Sequence, residues 1–272
     1  MTTQPNRRKG ADVVDIVVCI KRVPAFGAQV PLTDDGSSVD TRHLGFTIGP
    51  HEECAVEEAV RLTTAHGGRV TVLTVGPQEA DEQLRYALAM GAHRGVLVDT
   101  GTTELDPEAT ATAVLAGLTD EPEPDLLLFG DASADAGHGQ VGVRVALARG
   151  LPVVGGITGL EADGGDPAEG GGAAWLRASR DTPDGTEVFR LPLPTAVAVK
   201  EGLNLPRYPT LPGRLKAKKA ALRTVACAPE RGGLRTHGLR RPADDRAGAI
   251  ALGRGADAAP AVVDVLAELG KV

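Results

Sequence analysis

With 272 residues, a net charge of −7, a pI near 5.4 and 3% aromatic residues, the chain can bury a large core but lacks the basic surface and stacking rings that nucleic-acid binding uses. Its three cysteines, Cys19, Cys54 and Cys227, have no CxxC spacing and its six histidines no metal-ligand spacing, which argues against a zinc ribbon, an iron–sulfur motif or a disulfide framework and for a reducing compartment. No run approaches a membrane span and the polar start MTTQPNRRKG lacks a secretory h-region, so the expectation is a cytoplasmic protein that is not integral to the membrane.

The first element, Val13 to Ile20, is rich in β-branched residues and reads as a buried parallel strand. An excursion with a turn at Asp34-Asp35-Gly36 follows and ends at Gly49-Pro50. Pro50 opens a helix whose first-turn Glu52 and Glu53 complement the dipole, whose Glu57 and Arg61 pair at i, i+4, and which Gly67-Gly68 stops. The strand Arg69 to Val75, the helix Gln78 to Met90 ending at Gly91, and the strand Gly95 to Val98 come next. Asp106 caps a helix to about Leu118, and Asp125 to Phe129 is the next strand. It leads through a loop of Gly, Ala, Ser and Asp into the helical GQVGVRVALARG.

Beyond Leu151-Pro152 the pattern changes. Glycine-rich turns at Gly155-Gly156, Gly164-Gly165 and Gly170-Gly172 separate short strands at Ala174 to Ala178, Glu187 to Leu191 and Thr195 to Lys200, read as hairpins. The proline-rich EGLNLPRYPTLPGRLKAKKA is unfit for sheet core. From Ala220 to Gly255 the chain has little apolar material and reads as an extended arm needing a partner surface, before a closing helix from about Ala259 to Leu269.

Apolar strands alternating with amphipathic helices indicate a doubly wound, mainly parallel α/β sheet, with a β-hairpin region and an extended C-terminal arm. A ligand in such a fold sits beyond the strand ends, and three loops lie there: Cys19 to Val23, Val75 to Pro77, and Gly130 to Gly139. The last precedes a helix N-terminus and is small-sided enough for a phosphate to approach the backbone, although ordinary strand-to-helix turns share that composition. There is no GxGxxG and no Walker lysine. No acid, base and nucleophile gather locally: the glutamate pairs at 52–53 and 57–58 read as dipole partners and a solvated face, and Ser133 has no GxSxG elbow. Lys216, Lys218 and Lys219 read equally as a solvated cluster or as the flank of a docking loop. From these residues alone the choice lies between a nucleotide-binding module of a larger assembly and a small-molecule enzyme.

Several stretches in order resemble the β subunit of electron transfer flavoproteins. VVCIKRVP and the TDDG turn lead into GPHEECAVEEAVRL, similar to the family's NPF-x-E-x-AVEEALRL. VTVLTVGP and LRYALAMGAHRGVLV follow, and LPLPTAVAVKEGLNLPRYPTLPGRLKAKKA matches LPAVVTV…LNEPRYPSLPGIMKAKKK. The likeness runs from about Asp15 to Ala220.

The resemblance implies an adenine nucleotide alpha hydrolase-like fold and a non-enzymatic electron carrier that pairs with an α subunit. The α subunit shares FAD with it, while this subunit holds AMP, or FAD in electron-bifurcating members. Electrons would pass from flavin-dependent dehydrogenases toward a quinone-linked acceptor. Carried over, the nucleotide contacts are Cys19, the turn Gly49, Pro50, His51 and Glu52, then Val75. From the loop come Gly130, Asp131, Ala132, Ser133, Asp135, His138, Gly139, Gln140 and Val141. Leu211 matches the family's partner anchor, with Pro212, Leu215, Lys216 and Lys219 beside it. The implied organisation is a nucleotide-binding domain over 1–200, a partner-recognition loop over 201–219 and an arm over 220–272 docking on the α subunit. The chain departs from the family where Asp131 replaces lysine, Ala132 glutamine and Gly49 asparagine, and where Ala136 and Gly137 replace acids. Asp131 would oppose a phosphate if it faced inward. The alternative reading is a stand-alone adenine-nucleotide binder or sensor.

Overall fold

The computed structural model describes residues 14–25, 27, 30–102, 104–163, 175–241 and 250–272. Val13, the turns at Gly164-Gly165 and Gly170-Gly172, Ala174 and residues 242–249 of the arm lie outside them. In chain order the first half contains β1 (Ile16–Ile20), β2 (Arg22–Pro24), β3 (Phe46–Ile48), α1 (Pro50–His66), β4 (Val70–Gly76) and α2 (Asp81–Met90). β5 (Arg94–Asp99), α3 (Pro107–Leu118), β6 (Leu126–Gly130) and α4 (Val141–Ala148) follow. The second half contains β7 (Val153–Ile157), β8 (Gly159–Asp163), β9 (Trp175–Thr182), β10 (Gly185–Pro192), β11 (Thr195–Val199), α5 (Leu211–Lys219), β12 (Arg223–Ala226) and α6 (Ala259–Glu268).

A seven-stranded sheet in the order β12-β5-β4-β1-β6-β11-β7, parallel throughout, forms the centre. Side chains of a strand alternate between its faces, and both faces here are covered. Ile16, Val18 and Ile20 enter one core with Val56, Ala59 and Leu84 of α1 and α2, and Leu160 and Leu176 of the hairpin sheet join it. Val17 and Cys19 enter the other core with Ala113, Val114, Val145 and Ala146 of α3 and α4. This is the doubly wound α/β arrangement, with β8, β9 and β10 as a separate antiparallel sheet. The helix signals act as read: Pro50 stands at the start of α1, Asp106 accepts from the Ala109 amide at 2.9 Å, and Gly91 ends α2 at φ 128°, a conformation costly to a side chain.

Three expectations are corrected. Thr195 to Lys200, read among the hairpins, forms β11 inside the central sheet between β6 and β7, because all five residues of TAVAV are buried as a two-sided parallel strand requires. Gly155 and Gly156, read as a turn, lie within β7, where the ladder to β11 shifts register between Val197 and Val199. The proline-rich segment is only partly a loop: Thr210 caps α5 by accepting from the Gly213 amide at 3.2 Å, Pro212 tolerates the first turn, and Ala217 is buried where α5 packs on α2.

After Ala220 the chain first adds β12 to the sheet edge, tied by Arg223 to the Gly117 carbonyl at 2.9 Å and to Glu121 at 3.1 Å. It then lies along its own domain, where the Gly232 and Leu234 amides donate to Asp106 and the Leu239 amide to the Gly36 carbonyl. No residue of α6 is buried, and Val263 and Leu269 are 53% and 64% exposed.

Candidate nucleotide cleft and partner surface

The strand order reverses at β1, with β4 and β5 to one side and β6, β11 and β7 to the other. Connections leave opposite faces at such a point and open a crevice beyond the strand ends. A cleft with about 330 Å³ of water-accessible space lies there, within the size range of small-ligand sites. Cys19 and Val75 at the ends of β1 and β4, Glu52, and all of Gly130, Asp131, Ala132, Ser133, Asp135, His138, Gly139, Gln140 and Val141 line it. Gly49, Pro50 and His51 do not line it; they frame Glu52 from the helix start, and His51 Nδ1 accepts from the Ala132 amide at 3.4 Å. Leu211, Pro212, Leu215, Lys216 and Lys219 lie elsewhere, on α5.

Sequence reasoning included Lys21 and Arg22 in the strand-end loop Cys19 to Val23 without singling them out, and missed the β5–α3 side of the cleft, where Thr100, Glu104, Leu105 and Thr110 stand. The signal was present: Lys21 and Arg22 directly follow β1, and Thr100 follows β5 by the same strand-end rule.

The loop after β6 is held at several points. The Asp131 amide donates to the Val199 carbonyl at 2.9 Å, and Asp131 Oδ1 accepts from the Gly156 amide at 2.7 Å. The acid in the family's lysine position therefore joins β6 to β7. Burial works to raise the Asp135 pKa, but Lys21 Nζ at 2.7 Å, Ser133 and the Ala136 amide outweigh it and hold the carboxyl below its ordinary value. Gln140 gives α4 no side-chain cap, and the first residues of α4 line the cleft, so uncapped amides are available there. Cys19 stays a thiol, its pKa pushed up to about 12 by burial.

Three buried polar atoms without a hydrogen-bond partner belong to residues lining this cleft: Arg22 Nε, Glu52 Oε2 and Thr100 Oγ1. Buried polar groups are ordinarily paired, and a polar ligand in the cleft would supply the missing partners. Gly49 and Gly130 pack against the Glu52 carboxyl so closely that a Cβ on Gly130 would stand 2.8 Å from its carboxyl carbon. A nucleotide fits this donor set, the uncapped helix start and the cleft size. Among the described residues no group of His, Cys, Asp and Glu is arranged to hold a metal ion.

A second surface lies along residues 203–215. Leu205, Tyr208 and Leu211 are 85%, 85% and 72% exposed, beside Arg214, Lys216, Lys218 and Lys219. The segment is nonetheless anchored. Arg207 grips buried Glu57 through Nε and its amide to Oε2, at 2.7 and 3.1 Å, and through Nη2 to Oε1 at 3.0 Å. Arg61 joins the same carboxylate at 2.7 Å, and Asn204 donates to Glu58 at 2.9 Å and to the Cys54 carbonyl at 3.0 Å. Burial works to raise the Glu57 pKa, and the bonds from Arg207 and Arg61 bring it below the ordinary value instead. At the other end, Arg85 donates to the carbonyls of Ala217, Lys218 and Ala220. No helix among the described residues is long and apolar enough to cross a membrane.

Comparison with known proteins identifies the family of the chain. The family model described as Electron transfer flavoprotein domain matches residues 38–230. Electron transfer flavoprotein subunit beta of Bacillus subtilis is 35% identical over 210 residues, 77% of each chain. That of Syntrophomonas wolfei is 35% identical over 214 residues, 78% of this chain and 80% of its own, and that of Mycobacterium leprae 32% over 222 residues, 79% and 80%. The chain belongs to the electron transfer flavoprotein β-subunit family.

Proposed function

We propose that this chain is the β subunit of a heterodimeric electron transfer flavoprotein, a carrier between flavin-dependent dehydrogenases and a quinone-linked acceptor, with no bond-making residue of its own. The observation that carries the nucleotide part is the cleft at the strand switch point, with three unpartnered polar atoms from Arg22, Glu52 and Thr100. It would hold AMP, or FAD if the complex bifurcates electrons, while FAD is shared with the α subunit. Bound flavin would supply the electron-accepting chemistry.

The chain's own residues bind and orient. The loop from Gly130 to Gln140 and the uncapped start of α4 suit the phosphate, since backbone amides attract an anion where side-chain cations are few. Leu73, Val75, Val114 and Phe129 give the cleft apolar walls for a ring system. Residues 201–219 form the partner-recognition segment, with Leu211 as its anchor and Pro212, Leu215, Lys216 and Lys219 around it. An apolar group held out by a fixed frame and flanked by cations suits a transient partner, because pre-ordering lowers the cost of docking and charge speeds encounter. Within 220–272, β12 and residues 232–239 are held by this domain itself, so α6, with no buried residue, is the part that docks on the α subunit.

Coexpression with a cognate α subunit tests the reading. A yellow heterodimer is expected, and denaturation should release FAD together with AMP, or FAD alone in excess of one per heterodimer. A colourless chain that never associates would sink the proposal.

A further inference from the structure

We propose that Glu52 acts in the cleft as a neutral carboxylic acid, donating its proton in a hydrogen bond to an acceptor atom on the adenosine half of the nucleotide. This rests on the nucleotide reading above and assigns the group that reads the ligand within it.

Glu52 stands in the first turn of α1, where a glutamate is ordinarily exposed and ionised beside the helix dipole. Here the residue is 4% exposed, and its carboxyl is packed against the backbones of Gly49 and Gly130. Oε2 has no hydrogen-bond partner in the protein, although the residue lines the cleft. A carboxylate in that position would be a buried, half-satisfied charge; a carboxylic acid removes the charge and gains a donor.

Burial favours the acid, and the surrounding charges act in both directions. Burial is the dominant influence and carries the pKa up to about 7; the residue's own amide and Lys21 oppose it, while Asp135 and Glu53 add to it. Lys21, from the loop after β1, is already paired with Asp135. From the loop after β6, Asp131 and Asp135 present further acids, and from α1 itself come His51 and Glu53. Glu104, His138 and Arg22 also line the cleft. A nucleoside brings ring-nitrogen and sugar-oxygen acceptors, shared by AMP and the adenosine of FAD, to which an O–H can donate.

The test is calorimetric binding of adenosine and of AMP to the heterodimer cleared of its β-subunit nucleotide, at pH 6, 7 and 8. Adenosine is the decisive probe because the phosphate of AMP titrates near pH 6 on its own account. Affinity for adenosine should fall about tenfold from pH 6 to pH 8, with proton uptake on binding at pH 8 in buffers of different ionisation enthalpy. Glu52→Gln keeps a donor and removes the titration, so its affinity should be the same at all three pH values and within about threefold of the wild type at pH 6. The wild-type profile and the proton count stand without the variant. Binding that is flat with pH, or that tightens as pH rises, overturns the proposal and leaves the nucleotide reading intact. Failure of adenosine and AMP to bind at any pH, with no FAD in the cleft, overturns both.

Discussion

Glu52 and Glu57 lie less than two turns apart on α1, both nearly devoid of solvent contact, and their environments push them in opposite directions. Glu57 faces the segment after β11, where Arg207 and Arg61 satisfy both oxygens and keep it ionised. Glu52 lines the cleft, where burial outweighs its own amide and Lys21, and Oε2 is buried without a hydrogen-bond partner. One turn of the helix uses a glutamate as a fixed structural charge, and the turn before it holds one in reserve for a ligand. Burial alone therefore does not determine what a glutamate does; the neighbouring cation decides.

The largest expected effect comes from removing the reserve. An acid with a raised folded-state pKa binds its proton more tightly when folded, so its contribution to stability falls as pH climbs from about 4.5 to about 7 and then levels off. Glu52→Gln should remove that loss and raise the unfolding free energy at pH 8 by up to about 3 kcal/mol, read by urea denaturation. No gain at pH 8 would mean the carboxyl is compensated when ionised.

Next in size, Arg207→Ala strips the paired glutamate of its main partner. It leaves Glu57 buried with Arg61 as its remaining cation and should cost about 2 kcal/mol at pH 7. Because the folded-state pKa of Glu57 is depressed, the wild-type advantage should be present above the ordinary carboxylate range and shrink as pH falls through it. Amide exchange over residues 203–210 should accelerate in the variant; unchanged exchange would show the loop is held elsewhere.

The third effect is kinetic. Leu211→Ala should slow reduction by the cognate dehydrogenase about tenfold in kcat/KM, with flavin content and stability unchanged, as for an anchor truncated at an interface. Equal loss of flavin would make the segment structural. Smallest is Lys21→Met, which breaks the pair with Asp135 at side chains 42% and 24% exposed and should cost less than about 1 kcal/mol. A larger loss would show that this pair closes the cleft wall.

The difference between the two glutamates also marks what the sequence could convey. Strands with continuous apolar runs, helices opened by Pro50 or Asp106, and the loop after β6 carry local signals, and they fold as read. The placement of Thr195–Val199 in the sheet centre depends on which partners lie beside it, which no local pattern states. α5 was obscured because a single residue, Ala217, is buried on a helix whose leucines face outward. β12 is only four residues long and half exposed, with no alternation to reveal it. For the cleft, Glu52 was legible as a first-turn acid but not as a buried one, since its burial comes from Gly130, far away in sequence. Asp131 looked like a threat to phosphate binding because its bond to the Gly156 amide is equally non-local.

The position of β12 has a mechanical consequence. The chain leaves the sheet from β11, near one edge, crosses α1 and α2, and re-enters as β12 at the opposite edge. The exposed Leu211 segment is thus a strap buckled at both ends to the same sheet, with intermediate rivets at Arg207 and Arg85. A load applied there by a docking partner is shared across the width of the sheet, where a hairpin tip would concentrate it at one hinge. Such a strap holds Leu211 out from the surface with no free end to swing.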